Sequence, residues 1–183
     1  MLEGKLVRLR ALEITDLERE YEWVNDRDVI RYLTIRYPMS RADEERFLRD
    51  RPANGFANLT LGIETKEGVH IGNMGLHQAQ PEDRKAGLGI MIGDKGYWSN
   101  GFGTDAIVTL LRFAFGEMNL NRVWLHVFEF NERAIACYQK CGFREEGRLR
   151  QHQFTEGRYW DTIVMGVLRE EFEALHGAPE TVP

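Results

Sequence analysis

Residues 88–118 constrain this chain more tightly than any other stretch. Leu88-Gly89-Ile90-Met91-Ile92 is an apolar run of strand length, and Ile107, Leu110, Leu111, Ala114 and Met118 recur at helical spacing. Between them stands Tyr97-Trp98-Ser99-Asn100-Gly101-Phe102-Gly103-Thr104-Asp105-Ala106. The order is strand, glycine-containing turn, helix. Gly101 and Gly103 have no Cβ, so a ligand can approach the backbone closely. Amides at the start of the following helix lack internal partners and carry partial positive charge, which suits a pyrophosphate. The same pattern also serves as a plain tight connection. The lysine and hydroxyl of a Walker loop are missing, and no third glycine completes a dinucleotide fingerprint. A phosphate held here would be cradled by backbone amides, without a magnesium-binding hydroxyl.

With 183 residues the chain can bury one full core, and a single domain over 1–183, with its core at about 5–168, is expected. A net charge of −5 argues against nucleic acid as the main partner, because phosphate backbones demand a basic face. No apolar run approaches the roughly 20 residues that span a bilayer. Met1-Leu2-Glu3-Gly4-Lys5 has no apolar signal core, so a cytoplasmic protein without a membrane partner is expected. Cys137 and Cys141 stand four apart on one helical stretch. A zinc site would need two further ligands at suitable spacing, and the expectation is no metal, with both thiols reduced and packed as small hydrophobes.

Turn and cap signals divide the rest. Alternation over 6–11 predicts a first strand. Thr15-Asp16-Leu17-Glu18 reads as a capping box opening a helix to about Val24, and Ser40 caps a second helix to Arg51. Val29 to Leu33 suits a short helical turn. Strands are expected over 57–64, 69–78 and 86–93, joined by turns at 65–68 and 80–84. Val123 to Phe128 alternates as another strand, followed by a helix from Glu132 to about Cys141 with Asn131 as N-cap and Gly142 as its stop. Strands over 143–154 and 159–167, a short helix over 169–175 and a Pro-containing tail finish the chain.

The helix after the strand at 123–128 carries a second constellation, Asn131-Glu132-Arg133-Ala134-Ile135-Ala136-Cys137-Tyr138-Gln139-Lys140-Cys141-Gly142-Phe143. Asn131 and Tyr138 lie two helical turns apart, roughly on one face. A purely structural account of cap, core residue and stop also fits. Both constellations together, in this order, resemble the GNAT superfamily of acyl-CoA-dependent N-acetyltransferases over nearly the whole chain. Leu9-Arg10-Ala11-Leu12, Tyr97-Trp98 and Trp160-Asp161-Thr162-Ile163-Val164-Met165 resemble the branch of ribosomal-protein N-terminal acetyltransferases and spermidine acetyltransferase.

That resemblance implies an α+β fold: a mixed, mostly antiparallel sheet of about seven strands flanked by helices. Its fourth and fifth strands, here about 86–93 and 122–128, should splay to admit acetyl-CoA. It further implies that Ser99, Asn100, Gly101, Phe102, Gly103 and Thr104 hold the pyrophosphate. The pantetheine arm would pair with backbone near Met91 and Ile92, Asn131 would contact that arm, and Tyr138 would face the thioester sulfur. A homodimer is a habit of the family. The sequence departs from the family pattern in having Trp98 at the first signature position, as this branch allows. It also has Gly87 where many relatives place an acidic residue, which puts the usual carboxylate base in doubt.

Acetyl transfer needs a neutral amine, a polarised carbonyl and a protonated leaving thiolate. A backbone amide on the splayed strand can polarise the carbonyl. The Tyr138 phenol is the expected acid. His126 is the expected base, directly or through water, with Glu129, His77 and His70 as weaker alternatives and Glu82 and Asp83 read as solvated. Without an obvious carboxylate base, a weakly basic acceptor such as a protein N-terminal α-amine is favoured over a polyamine or amino acid. Acceptor specificity is expected in 25–55 and 78–86, with Trp23, Tyr32, Tyr37 and Phe56 as lining or, equally, core. From another class, an acyl-CoA-binding module without turnover would share this fold.

Overall fold

Period-two alternation builds a sheet here, and helical stripes cover its two faces. The computed structural model describes residues 1–178; most of the expected Pro-containing tail lies outside them. The elements run β1 (Leu2–Glu3), β2 (Val7–Ala11), α1 (Leu17–Val24), α2 (Arg27–Ile30), α3 (Arg41–Asp50), β3 (Leu59–Thr65), β4 (His70–Gln80), β5 (Lys85–Ile92) and α4 (Phe102–Gly116). There follow β6 (Arg122–Phe128), α5 (Glu132–Lys140), β7 (Arg144–Thr155), β8 (Arg158–Leu168) and α6 (Arg169–His176). The strands form one eight-stranded sheet in the order β1-β2-β3-β4-β5-β6-β8-β7. Every neighbouring pair is antiparallel except β5 and β6.

The expected sheet lacked β1. Its two residues, paired as Leu2↔Leu9 and Glu3↔Arg8, are too few to show a period. The turn that joins them to β2 is held from a distant point in the sequence. The Asp105 carboxylate, in the first turn of α4, accepts hydrogen bonds from the amides of Lys5, Leu6 and Val7 at 3.0, 2.7 and 3.0 Å.

Helix ends mostly follow their caps. Ser40 Oγ accepts from the Asp43 amide at 3.1 Å, and Asn131 Oδ1 accepts from Ala134 at 3.2 Å. After α5, Gly142 has φ +100°, and the amides of Phe143 and Gly142 return to the carbonyls of Tyr138 and Gln139. That is a Schellman closure, which a residue with a Cβ would strain. Thr15 is the exception: it does not cap α1. Asp16 instead accepts from the Glu13 amide at 2.8 Å and pairs with both Arg10 guanidinium nitrogens at 2.8 Å. The pull of Arg10 on β2 therefore draws the chain into a short 3-10 turn, and α1 starts only at Leu17.

The core lies between the sheet and α4. Ala106, Ile107, Leu110, Leu111, Ala114 and Phe115 are fully buried there against β-strand residues such as Leu9, Ile63 and Val123. α6 closes the same side, with Phe172 and Phe115 ring centroids 5.3 Å apart.

Candidate active site

The sheet has one parallel neighbour pair, and it comes apart. β5 and β6 are in register only at Lys85↔Arg122, Ala86↔Val123 and Gly87↔Trp124. Beyond Gly87 the edge of β5 that faces β6 carries no ladder, so its polar groups border open space. A cavity of about 570 Å³ fills the gap. Ile90, Met91 and Ile92 line one side, Val127 and Phe128 the other. The Gly93 amide donates to the Ile71 carbonyl on β4, so by alternation Met91 turns its peptide groups to β4 and Leu88, Ile90 and Ile92 turn theirs to the gap. The Ile92 carbonyl already accepts from the Trp98 indole at 2.7 Å, so the free positions on this edge lie chiefly at Leu88 and Ile90.

The N-terminus of α4 opens into this gap. Gly101 is its N-cap in the left-handed region at φ +86°, which is why glycine belongs there. The first helical bond runs from the Asp105 amide to the Gly101 carbonyl at 2.9 Å. The amides of Phe102, Gly103 and Thr104 precede it and have no helical acceptor. A Cβ on Gly103 would stand 3.8 Å from Cys137 Sγ and Ile92 Cγ1, so the backbone there faces the cavity directly. Arg133 and Lys140 also line this cavity, and no aspartate or glutamate does. The Arg133 guanidinium lies 3.7 Å from the Trp98 ring centroid, bridging α5 to the loop before α4. Together these features fit a diphosphate.

Of the residues expected around the cofactor, Ser99, Gly101, Gly103, Thr104, Met91, Ile92 and Asn131 line the cavity. The side chains of Asn100 and Phe102 do not. Asn100 Nδ2 donates back to the Gly96 carbonyl at 3.2 Å, and Phe102 packs edge-on against Tyr97 at 5.0 Å. Their part can only be played by backbone. Tyr138 comes from α5 to the inner end of the cavity, and burial, then the nearby Cys137 and Cys141 thiols, push its phenol above the usual range. It therefore keeps its proton at any ordinary working pH.

A family model described as an Acetyltransferase (GNAT) domain matches residues 7–144. The chain belongs to the GNAT acetyltransferase family. A spermidine N(1)-acetyltransferase of Vibrio cholerae is 30% identical over 164 residues, covering 90% of this chain and 94% of that protein. A putative ribosomal N-acetyltransferase of Bacillus subtilis is 31% identical over 174 residues, covering 91% and 93%. A crystal structure of the V. cholerae spermidine N-acetyltransferase in complex with CoA and spermine superposes with a TM-score of 0.80 at 29% identity, covering 92% of this chain and 99% of that one. The splayed pair is thus a GNAT cleft, formed by β5 and β6 because β1 adds one strand ahead of the family's count.

Within the GNAT frame, the missing acidic residue at Gly87 has a structural cause. Gly87 pairs with His77 across β4 and β5, and a Cβ on Gly87 would overlap the His77 imidazole. The imidazole takes the space a longer side chain would need. A β-bulge follows directly, between His77 and Gln80, with Gln78 at φ +52°. Bulges of this kind re-aim side chains beside active sites. His77 reaches His126 through Trp124, with ring centroids 5.6 and 5.1 Å apart, and both histidines line the cavity. Desolvation, then the charge of His126, lowers the His77 imidazole; desolvation, then His152, lowers His126. Both are neutral near pH 7 and able to accept a proton.

Other expectations resolve as packing. The Glu129 carboxylate accepts from the Asp161 amide at 2.9 Å and faces Arg148 at 3.5 Å. Trp23 is buried over Gly93 and packs with Val29 and Met91, while Tyr37 and Phe56 are exposed and line neither described cavity. Tyr32 does line the cleft. Arg133 was not singled out by its spacing; its place in the first turn of a capped helix, two residues after Asn131, was the available signal. Among the described residues no group of three or more His, Cys, Asp and Glu is gathered for a metal. No described helix is long and apolar enough to cross a membrane.

Proposed function

We propose that this chain moves the acetyl group of acetyl-CoA to the primary amine of a small molecule, by direct attack in a ternary complex. The observation that carries the reading is the parting of β5 from β6 directly over the open N-terminus of α4. Bound acetyl-CoA supplies a thioester. The amides of Phe102 to Thr104, with Arg133 and Lys140 close by, hold its diphosphate, and Asn131 contacts its arm from α5. The free edge of β5 near Leu88 and Ile90 aligns the arm, and a peptide N–H there polarises the carbonyl. His77 and His126 relieve the attacking nitrogen of its proton. Tyr138 donates a proton to the departing sulfur. A phenol raised by burial is a weaker donor, but a thiolate expelled into the same desolvated pocket is a correspondingly stronger acceptor.

The expectation of a protein N-terminus rests on the lack of an obvious carboxylate base. Two neutral imidazoles at the cleft can take the proton in place of a carboxylate. The spermidine acetyltransferases among the relatives also support a small amine. The test is thiol release from acetyl-CoA with a panel of small amines and N-terminal peptides. Release with small amines is expected. Calorimetric binding of CoA with no release for any acceptor would overturn the reading in favour of a non-catalytic acyl-CoA module.

A further inference from the structure

A second cavity, of about 480 Å³, adjoins the cleft. Leu33, Thr34, His77, Gly89, Ile90 and Met91 line both. The two differ in charge. The cleft is lined by Arg133 and Lys140 and by no carboxylate; the second cavity is lined by Glu20 and Glu44 and by no lysine or arginine. Glu20 on α1 is fully buried, and both its oxygens are engaged, by His70 Nε2 at 2.8 Å and by Asn73 Nδ2 at 2.6 Å.

Glu44 on α3 is different. It is 3% exposed, and among the described residues no hydrogen bond or ion pair reaches its carboxylate. The arginines of its own helix turn elsewhere: Arg41 to Glu18 and Glu45, Arg46 to Asp43, Arg49 to Glu45. Burial, then the charge of Glu20, raises the Glu44 carboxyl. The carboxylate oxygens are not sealed in the core but open to the cavity that Glu44 lines, so a cation there would be their partner. Around it Ile35, Met39, Leu59 and Met74 give apolar walls that suit a hydrocarbon spacer.

We propose that Glu44, backed by Glu20, is a seat for a second cationic group, an ammonium or guanidinium, at the far end of the acceptor amine. The acceptor then runs from Glu44 along its apolar walls to Ile90 and Met91, where its reacting nitrogen enters the cleft. The distance is short: Asn73, which holds Glu20, is paired with Met91 on the adjacent strand, about 5 Å away. This assignment rests on the acetyltransferase reading for which end of the acceptor reacts, but the seat itself does not.

The test compares α,ω-diamines from diaminopropane to diaminooctane with monoamines of equal chain length, in the wild type and in Glu44→Gln and Glu44→Leu. Two quantities are read: the diamine-to-monoamine ratio of kcat/KM, and calorimetric binding of each amine to the CoA-loaded protein. CoA binding serves as the check that each variant is folded. At the best length the wild type should favour the diamine at least tenfold in both quantities, and both variants should bring the ratio close to one. A wild-type ratio near one, or a ratio that survives Glu44→Gln, would overturn the proposal even if every amine is acetylated. If no amine is acetylated but diamines still bind in preference, and lose that preference in Glu44→Gln, the seat stands and the acetyltransferase reading falls.

Discussion

At the scale of single residues, Tyr138 as the proposed proton donor and His77 as a proposed base make separable predictions. Removing the Tyr138 hydroxyl takes away the proton donor without touching the diphosphate site. Tyr138→Phe should lower kcat by about 10²-fold or more while leaving the calorimetric Kd for CoA unchanged. An unchanged single-turnover rate would remove Tyr138 from the mechanism. The histidines set the acid side of the pH profile. Their imidazoles lie below the ordinary 6.5, so the base form is complete at neutral pH and is lost only as pH falls through the lowered value. The acid limb of kcat should therefore have its midpoint below about 6.5. Gly87→Ala, which forces the His77 imidazole aside, should lower kcat and disturb that limb. A limb centred above pH 7, or a Gly87→Ala variant with an unaltered profile, would contradict the assignment.

These residues were unequally legible. Tyr138 could be placed from Asn131 because helical spacing puts both on one face, and both do line the cleft. The place of His77 was harder to read. Its position at the cleft depends on Gly87 across the strand pair and on the bulge at Gln78, and cross-strand register leaves no local trace in sequence.

Among the elements, α4 does two jobs with one turn. Its outer amides face the cleft, while the Asp105 carboxylate gathers the amides of Lys5, Leu6 and Val7 and so docks the N-terminal segment. Asp105→Ala would leave those donors to solvent and should cost about 1–3 kcal/mol, discounted for their partial exposure. Denaturant unfolding reads the loss, and a midpoint equal to wild type would show that the segment needs no anchor. The helix itself was readable because Ile107, Leu110, Leu111 and Ala114 repeat at its period, and α5 because Asn131 and Gly142 punctuate it. β1 was not, since the turn joining its two residues to β2 is held by a side chain about a hundred positions away. The start of α1 was misjudged for a related reason. Thr15 to Glu18 has the local signature of a cap, but Asp16 answers to Arg10, and Arg10 also holds Glu64 on β3 at 2.7 Å.

The whole molecule sorts charge across one strand. β5 separates a cleft lined by cations and helix amides from a pocket lined by carboxylates. A chain of net charge −5 still gathers cations and no carboxylate around the cleft, a local arrangement that no total composition reveals. The central claim is that the bare amides of the α4 mouth hold the diphosphate. Gly103→Asp tests it most directly, by titration calorimetry of CoA. The new Cβ meets nothing closer than 3.8 Å, and an acidic residue in the first turn favours the helix, so the variant should be as stable as wild type. Its carboxylate would occupy the anion's place, and CoA affinity should fall at least a hundredfold. A stable Gly103→Asp protein that binds CoA as tightly as wild type would show that the diphosphate sits elsewhere.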